Sequence, residues 1–213
     1  MNRKNNNNSY TMLHSNPDTN QIMCSKIISL LPIFPREYII VCIGTDRSTG
    51  DALGPLTGTY LKKMNLKHME VFGTLHDPVH AQNLSNYITK INNDYRKPFI
   101  IAIDACLGKS TSIGKITLGT GPLFPGAALN KKLPVIGDLH ITAVVNVSGF
   151  MEYAVLQNTR LSIVTDMAKS IASILSKVDN QLTFTHRLYA NILPNIKNEQ
   201  LIDYNSKREQ FPN

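Results

Sequence analysis

The sequence lacks the marks of several protein classes. None of its 213 residues lies in an apolar run near the ~18–20 residues of a membrane span, and no apolar segment follows the first charges as in a signal peptide. Charged residues make up only 17% of the chain and hydrophobic residues 42%, which excludes a highly charged disordered protein and a coiled coil. We therefore expect a soluble globular protein with no membrane partner.

Cysteine is scarce as well. The chain has three, Cys24, Cys42 and Cys106, and the last two lie inside apolar runs. An odd number in such positions predicts free thiols in a reducing compartment, which favours the cytoplasm. A chain of 213 residues fits one domain, whose core can be stable without disulfides or a structural metal.

Signatures of nucleic-acid and nucleotide binding are also missing. The 22 Lys and Arg exceed the 15 Asp and Glu, giving a net charge of +7, but the basic residues are scattered and form no stripe with aromatic residues between them. No specific nucleic-acid site is expected. The glycines of segment 44–54 lack the Gly-Lys-Ser/Thr ending of a phosphate loop and the spacing of the dinucleotide fingerprint.

What the sequence does have is an alternation of strand and helix patterns. Apolar runs predict strands, and apolar residues at helical spacing predict helices between them. This alternation predicts an α/β fold of three layers: an open, mainly parallel sheet with helices on both faces. The predicted strands are 38–43, 69–72, 99–103, 115–118 and 139–147. The predicted helices are one from Thr19 that ends at Pro32, one from near Asp51, 80–91, and one or two within 149–178 with a break near Asn158.

The ends of the chain differ from its centre. Residues 1–18 are polar and rich in asparagine, so we expect a disordered N-terminal tail. Residues 19–178 form the predicted single α/β domain. Residues 179–213 mix a proline and several asparagines with isolated apolar residues, and we interpret them as a C-terminal extension.

Two acidic residues follow strands of the predicted sheet. Asp104 comes directly after strand 99–103, and Asp51 lies in the loop after strand 38–43. Ligands of such sheets bind beyond the carboxyl ends of the strands, so the two carboxylates meet there if these strands are neighbours. A close pair of carboxylates shares a proton, and it can activate water and protonate a leaving group. The alternative is that Asp51 caps the helix it precedes and Asp104 caps a turn.

Other residues near this edge are weaker candidates. Thr45, Asp46 and Arg47 share the first loop, where Arg47 could contact a peptide carboxylate, or Asp46 and Arg47 could form an ordinary solvated ion pair. Cys106 could be a nucleophile beside His140, although a cysteine after an apolar strand is more often a small buried side chain. Segment 120–126, which has two prolines, suits a lip that faces a substrate, a partner contact, or a rigid turn.

Four segments together resemble known families. Gly44-Thr45 with Gly50-Asp-Ala-Leu-Gly-Pro55, then Ile101-Ala-Ile-Asp-Ala105, then segment 119–126 resemble, in that order, the germination protease family of spore formers. Segment 133–153 is more similar to a smaller group of sporulation proteins, the YyaC-type spore proteins. The likeness covers about residues 38–178. A weaker similarity, to the hydrogenase-maturation endopeptidases, is confined mainly to the first loop and the end of strand 99–103.

The resemblance implies a phosphorylase/hydrolase-like sheet and a peptidase site. The two aspartates of the germination protease family correspond to Asp51 and Asp104, and the YyaC-type likeness includes His80, which we rank above His76 as a substrate contact. Gly50 stands where that family has proline, and we expect it to loosen the loop around Asp51. The hydrogenase-maturation endopeptidases would add a divalent metal held by the two acids and a histidine. Their histidine has no counterpart before Gly149-Phe150, and His140 lies further upstream.

These observations predict a sporulation-associated peptidase with a two-aspartate site. It would act without a cofactor on a peptide or protein substrate, in the cytoplasm of the sporulating cell or in the spore. One alternative is a catalytically inactive binding or assembly protein of spore formation on the same fold. Another is a metal-assisted endopeptidase that uses Asp51, Asp104 and His140 as ligands. A homo-oligomer is compatible with each of these predictions.

Overall fold

The computed structural model describes residues 9–32, 37–125 and 133–192, with no side chains described beyond residue 182. These residues contain six strands and five helices, which alternate as far as the fourth strand, and a short 3-10 helix, Ser110–Ser112, follows that strand. The elements are β1 (Ser9–Leu13), α1 (Thr19–Leu30), β2 (Tyr38–Cys42), α2 (Leu53–Lys63), β3 (Met69–Phe72), α3 (Leu84–Asp94), β4 (Phe99–Gly108), β5 (Lys115–Thr120), β6 (Leu139–Val147), α4 (Glu152–Gln157) and α5 (Leu161–Ile192).

The strands form one open sheet in the order β1-β5-β6-β4-β2-β3. β2 pairs in parallel with β3 and with β4, and β4 pairs in parallel with β6. β5 pairs in antiparallel orientation with both β6 and β1, so among the six described strands β5 alone runs against the others and makes the sheet mixed. The predicted α/β class with an open, mainly parallel sheet and helices on both faces is confirmed.

One face of the sheet, which we call the closed face, carries the larger core. Side chains of α1, α2 and α5 pack there on the sheet, with Ile40 and Ile101 of the central strands among the fully buried residues. Every residue of β2 is buried, as expected for a parallel strand covered on both sides. α5 packs against both α1 and α2, so it joins the helices of this layer.

The opposite face, the open face, is covered only in part. Over β2 the side chains of Ile39 and Val41 pack with Leu84 and Ile91 of α3 in a second, smaller core. Toward β1 this face carries side chains that are half-buried or exposed, such as Thr142 of β6 and Thr11 of β1. The open face therefore contains a region where polar side chains meet solvent.

Two predicted boundaries are wrong. Residues 9–13 of the predicted disordered tail form β1, whose pairing with β5 supplies the hydrogen bonds that a polar segment cannot make alone. The predicted boundary between the domain and the C-terminal extension, at 178/179, falls inside α5, which is continuous to Ile192. Residues 1–8 and 193–213 lie outside the described residues.

Two further expectations have an outcome in the structure. Cys24, Cys42 and Cys106 are all free thiols, as predicted. Within the described part of the chain, no helix combines the length and the apolar character that crossing a membrane requires.

Candidate functional site

The loop between β2 and α2 folds back onto Asp51. Gly44 has a φ of +149°, and a Cβ atom at that position would lie 2.0 Å from the carbonyl oxygen of Asp51. Glycine is required here because no other residue could approach so closely. The Gly44 N–H donates to the Val79 carbonyl at 2.8 Å, and the Thr45 N–H donates to the Asp51 carbonyl at 3.2 Å. These bonds hold the backbone of Asp51 against the end of β2.

Gly50 fixes this loop, so the expectation that it loosens the loop is wrong. Gly50 is buried, and its N–H donates to the carbonyl of Leu156 in α4 at 2.8 Å. A Cβ atom at this position would lie 2.8 Å from Cδ2 of Leu156, so the site has no space for a side chain. A proline would in addition lose the hydrogen bond, because its nitrogen carries no hydrogen. The residue that immediately precedes Asp51 is therefore held by a hydrogen bond to α4, which lies far from it in the sequence.

Asp51 precedes the N-cap position of α2. The residue at that position is Ala52, and its N–H donates to the carbonyl of Ser48 at 3.0 Å, within the loop. The half-buried Asp51 side chain lines a cleft. The alternative in which Asp51 serves only as the N-cap residue leaves this position in the cleft wall unexplained.

Asp104 lies inside β4 rather than at its end, where the sequence places it. β4 continues to Gly108, and Asp104 pairs with Thr142 of β6. The apolar run is interrupted at Asp104, which borders a cleft, while Ala105 and Leu107 still pack against the core and the pairing with β6 continues. Oδ1 of Asp104 accepts a hydrogen bond from the N–H of Ala105 at 2.9 Å. No turn follows Asp104, so the turn-cap alternative is wrong.

The two acids line the same cleft, whose volume is about 970 Å³. β2 and β4 are neighbours, with Cys42 opposite Ile103, so the condition for bringing the acids together is met. Burial, and to a smaller extent the negative charge of Asp51, together raise the pKa of Asp104 to about 8. The hydrogen bond from Ala105 opposes this shift without cancelling it. At neutral pH Asp104 therefore holds a proton.

A half-buried carboxylic acid beside a second carboxylate has two chemical capacities. The protonated Asp104 can donate a proton, and an ionised Asp51 can accept one from water. The negative charge of Asp51 strengthens the hold of Asp104 on its proton. This arrangement can support hydrolysis without a nucleophilic side chain.

The three other predicted residues of the first loop lie in the wall of the cleft. Thr45 is half-buried, whereas Asp46 and Arg47 are exposed. The Thr45 hydroxyl accepts a hydrogen bond from the Arg47 N–H at 3.3 Å and lies 3.5 Å from Oδ1 of Asp46. Arg47 is thus held in the wall of the cleft by a turn that Thr45 stabilises.

His80 lines the cleft on the side of α3, whereas His76 is exposed and is not among the residues around the cleft. Nδ1 of His80 accepts a hydrogen bond from the Gln82 N–H at 3.2 Å. This bond requires Nδ1 to be unprotonated, so the ring carries its proton on Nε2. Of the two histidines, His80 therefore stays the candidate for a substrate contact.

His140 lies on the floor of the cleft but does not complete a metal site. Its Nδ1 lies 3.0 Å from the carbonyl oxygen of Gly121 and donates to it, because a carbonyl can only accept. The described residues contain no group of three or more His, Cys, Asp or Glu side chains placed to hold a metal ion together. The set of Asp51, Asp104 and His140 therefore does not fit a three-ligand divalent metal centre.

Cys106 also lines the cleft, two residues beyond Asp104 on the same face of β4. Burial raises the pKa of its thiol to about 11; a hydrogen bond with the Thr142 side chain lowers it and the charge of Asp104 raises it. A thiol with such a pKa is not a thiolate at neutral pH, and the thiolate is the nucleophilic form. The structure thus favours the interpretation of Cys106 as a packing residue.

Residues 120–125, the described part of segment 120–126, border the cleft, and we call them the lip. The backbones of Leu123 and Ile136 exchange two hydrogen bonds, which hold the lip in place. Phe124 is 66% exposed and lines the cleft, as does Tyr153, which is 59% exposed. Sequence reasoning missed Tyr153, and it also missed Thr142, although the alternation of apolar and polar residues in 139–145 could have indicated that Thr142 shares a face with His140.

The comparisons with known proteins agree with part of this description. The chain belongs to the family DUF1256, described as a protein of unknown function, whose model matches residues 7–174. It is 57% identical over 144 residues to the uncharacterized protein YyaC of Bacillus subtilis (strain 168), an alignment that covers 68% of this chain and 70% of the relative. The predicted likeness to YyaC-type proteins is thereby confirmed. A solved structure, the [NiFe] hydrogenase maturation protease HycI from Thermococcus kodakarensis KOD1, has a TM-score of 0.45 and 19% identity, over 68% of this chain and 94% of that chain.

Proposed function

We propose that this member of the DUF1256 family is a peptidase in which Asp51 and Asp104 share a proton and direct water at a peptide carbonyl. One observation carries the proposal: both acids line one cleft, where burial and the charge of Asp51 raise the pKa of Asp104 to about 8. A carboxyl group that is protonated at neutral pH beside a second acid has the properties of a general acid–base pair.

In the proposed mechanism each acid has one role. The carboxylate of Asp51 accepts a proton from the attacking water, while Asp104 donates its proton to the carbonyl oxygen of the substrate. Collapse of the tetrahedral intermediate then breaks the C–N bond. The amine leaves with the proton that Asp51 took from water, and the hydroxyl proton of the intermediate returns to Asp104. Both acids thus regain their starting protonation states.

The cleft suits an extended peptide that carries an apolar side chain. Its volume of about 970 Å³ is at the upper end of ordinary ligand pockets, so it can take several residues. Phe124 and Tyr153 offer aromatic surface to such a side chain. The exposed guanidinium of Arg47 can bind a substrate carboxylate, and His80 can donate from Nε2.

The resemblance to the germination protease family supports a role in sporulation. It favours small basic spore proteins, or the N-terminus of this chain itself, as the first substrates to test. The predicted location in the cytoplasm of the sporulating cell or in the spore is part of this proposal.

The test is cleavage by single aspartate variants. We expect Asp51→Asn and Asp104→Asn each to lose at least about 1,000-fold in kcat/KM, because neither amide can exchange protons with water or substrate. Asp94→Asn is the matched control, since Asp94 is exposed at the end of α3, away from the cleft. Cleavage is measured by mass spectrometry on a peptide library and on small basic spore proteins. Equal cleavage by the wild type and both variants would exclude the dyad.

A second candidate function is binding or assembly without catalysis. The observation that favours it is the exposed apolar turn after β6, where Phe150 is 99% and Met151 is 75% exposed. Exposed apolar side chains of this size are typical of protein contacts. Absence of cleavage by the wild type, together with loss of binding to a partner when Phe150 is replaced by Ser, would favour this function over the peptidase.

A further inference from the structure

The loop that carries Asp51 contains a buried hydroxyl group with no hydrogen-bond partner. Ser48 is 4% exposed, and within the described part of the chain its Oγ is the one buried side-chain oxygen or nitrogen that lacks a partner in the protein. A buried polar group in that state costs roughly 1–3 kcal/mol, so folded proteins rarely keep one without a reason.

The other buried polar side chains of the described residues all have partners. The hydroxyls of Thr19, Thr57 and Thr159 donate to backbone carbonyls at 2.7, 2.8 and 2.9 Å. The carboxylate of Asp179 accepts two backbone N–H groups, each at 2.8 Å. Ser48 is therefore an exception in a protein that otherwise satisfies its buried polar groups.

The backbone around Ser48 cannot easily move to find a partner for the hydroxyl. The carbonyl of Ser48 accepts the N–H of Ala52 at 3.0 Å, and two residues further on Gly50 is attached to Leu156. Ser48 itself lines the cleft that Asp51 and Asp104 line. Because Oγ is buried as well as unpartnered, a rotation of the Ser48 side chain brings the hydroxyl to a ligand in the cleft, which is the partner that the fold leaves for it.

We infer that the Ser48 hydroxyl donates a hydrogen bond to the carbonyl oxygen of the peptide bond under attack, which makes Ser48 a further catalytic residue. This inference rests on the proposed peptidase function. A peptide carbonyl can only accept, and its oxygen has room for a second donor beside Asp104. This oxygen carries partial negative charge in the transition state, until the proton of Asp104 is fully transferred. A donor that is already desolvated stabilises that charge more than one that must first leave water.

The experiment compares Ser48→Ala with Thr57→Val, since each deletes one buried hydroxyl and only that of Thr57 is partnered and lies away from the cleft. For Ser48→Ala we expect kcat to fall about 100-fold with KM changed less than about two-fold, because the bond forms in the transition state. Its Tm should stay within about 2 °C of the wild type or rise. Thr57→Val should lower Tm by about 2–4 °C and leave kcat unchanged.

Four results would overturn the inference. They are a wild-type kcat, a raised KM with unchanged kcat, a loss as complete as that of Asp104→Asn, and a clear fall in Tm, which would mean that the fold uses the hydroxyl. Ser48→Cys, which keeps most of the volume, is the second variant should Ser48→Ala fold poorly, and the same kcat loss is expected of it. If the Asp51 and Asp104 variants cleave normally, the proposed function fails instead, and the Tm of Ser48→Ala still tests whether the hydroxyl is unsatisfied.

Discussion

The two faces of the sheet are formed by the same strands but differ in burial: the closed face is core, and the open face carries the cleft. On β6, Ile141 and Ala143 point to the closed face and are buried, whereas His140 and Thr142 point to the open face and are half-buried. Successive residues of one strand point to opposite faces of the sheet, so one belongs to the core and the next to the cleft. A substitution one residue along a strand should therefore have a different kind of effect, which the following predictions test.

The largest effect on stability is expected on the closed face of β6. Ile141 is 2% exposed, so Ile141→Ala should lower the free energy of unfolding by about 3 kcal/mol. The adjacent Thr142→Ala should lower it by less than about 1 kcal/mol, because its side chain is half-buried at the cleft. Urea denaturation of both variants measures the difference. Equal losses would mean that the open face is packed as tightly as the closed one.

A smaller effect, with a defined pH dependence, is expected at Asp104. Its folded pKa of about 8 lies above the unfolded value near 3.9, so the folded state binds the proton more tightly. Stability from this group is complete below pH ~4 and is lost as the pH rises through ~8. Asparagine does not titrate, so Asp104→Asn does not lose stability in this way. Its free energy of unfolding relative to that of the wild type should rise by roughly 2 kcal/mol from pH 5 to pH 8. This value is discounted for solvent screening because the side chain borders the open cleft.

Denaturation curves of the wild type and Asp104→Asn at several pH values measure this difference, and Asp94→Asn serves as the control with no such trend. A difference that stays constant from pH 5 to pH 8 would show that the pKa of Asp104 is close to its ordinary value. The general-acid role of Asp104 would then lose its support.

The smallest effect on stability is expected at the lip. Phe124 is 66% exposed, so Phe124→Ser should change the free energy of unfolding by less than about 0.5 kcal/mol. If it contacts an apolar side chain of the substrate, its loss should raise KM several-fold with little change in kcat. Steady-state kinetics on a library-selected peptide, with Leu161→Ser as an exposed apolar control away from the cleft, measure this. An unchanged KM would remove Phe124 from the substrate site.

Much of the sheet could be predicted because its strands have strong local patterns. β3 and β6 begin and end where the sequence predicts them, since their patterns are bounded by polar or turn-forming residues. β1 was missed because Ser9–Leu13 is half polar and becomes a strand only by pairing with β5, about 100 residues later. The end of β4 was missed because Asp104 interrupts the apolar run, although Ala105 and Leu107 continue to pack against the core and the strand stays paired with β6.

The candidate site could be predicted only in part. Asp51 and Asp104 were selected because both follow strand patterns, and their shared cleft depends on the neighbour relation of β2 and β4, which the sequence left open. Gly50 was misinterpreted, because a glycine in a loop indicates freedom until its contact with Leu156 is visible. Ser48 carries no local signal at all, since what distinguishes it is the lack of a hydrogen-bond partner in three dimensions.

The hydrogen bond from Gly50 to Leu156 has a consequence for the order in which the protein is made. Translation delivers both aspartates to the ribosome exit tunnel well before it reaches β6 and α4. A nascent chain of that length holds both acids but lacks the strand that flanks Asp104 and the carbonyl that anchors the Asp51 loop. The arrangement of the two acids can therefore arise only late in synthesis, so an unfinished polypeptide cannot carry the proposed hydrolase activity.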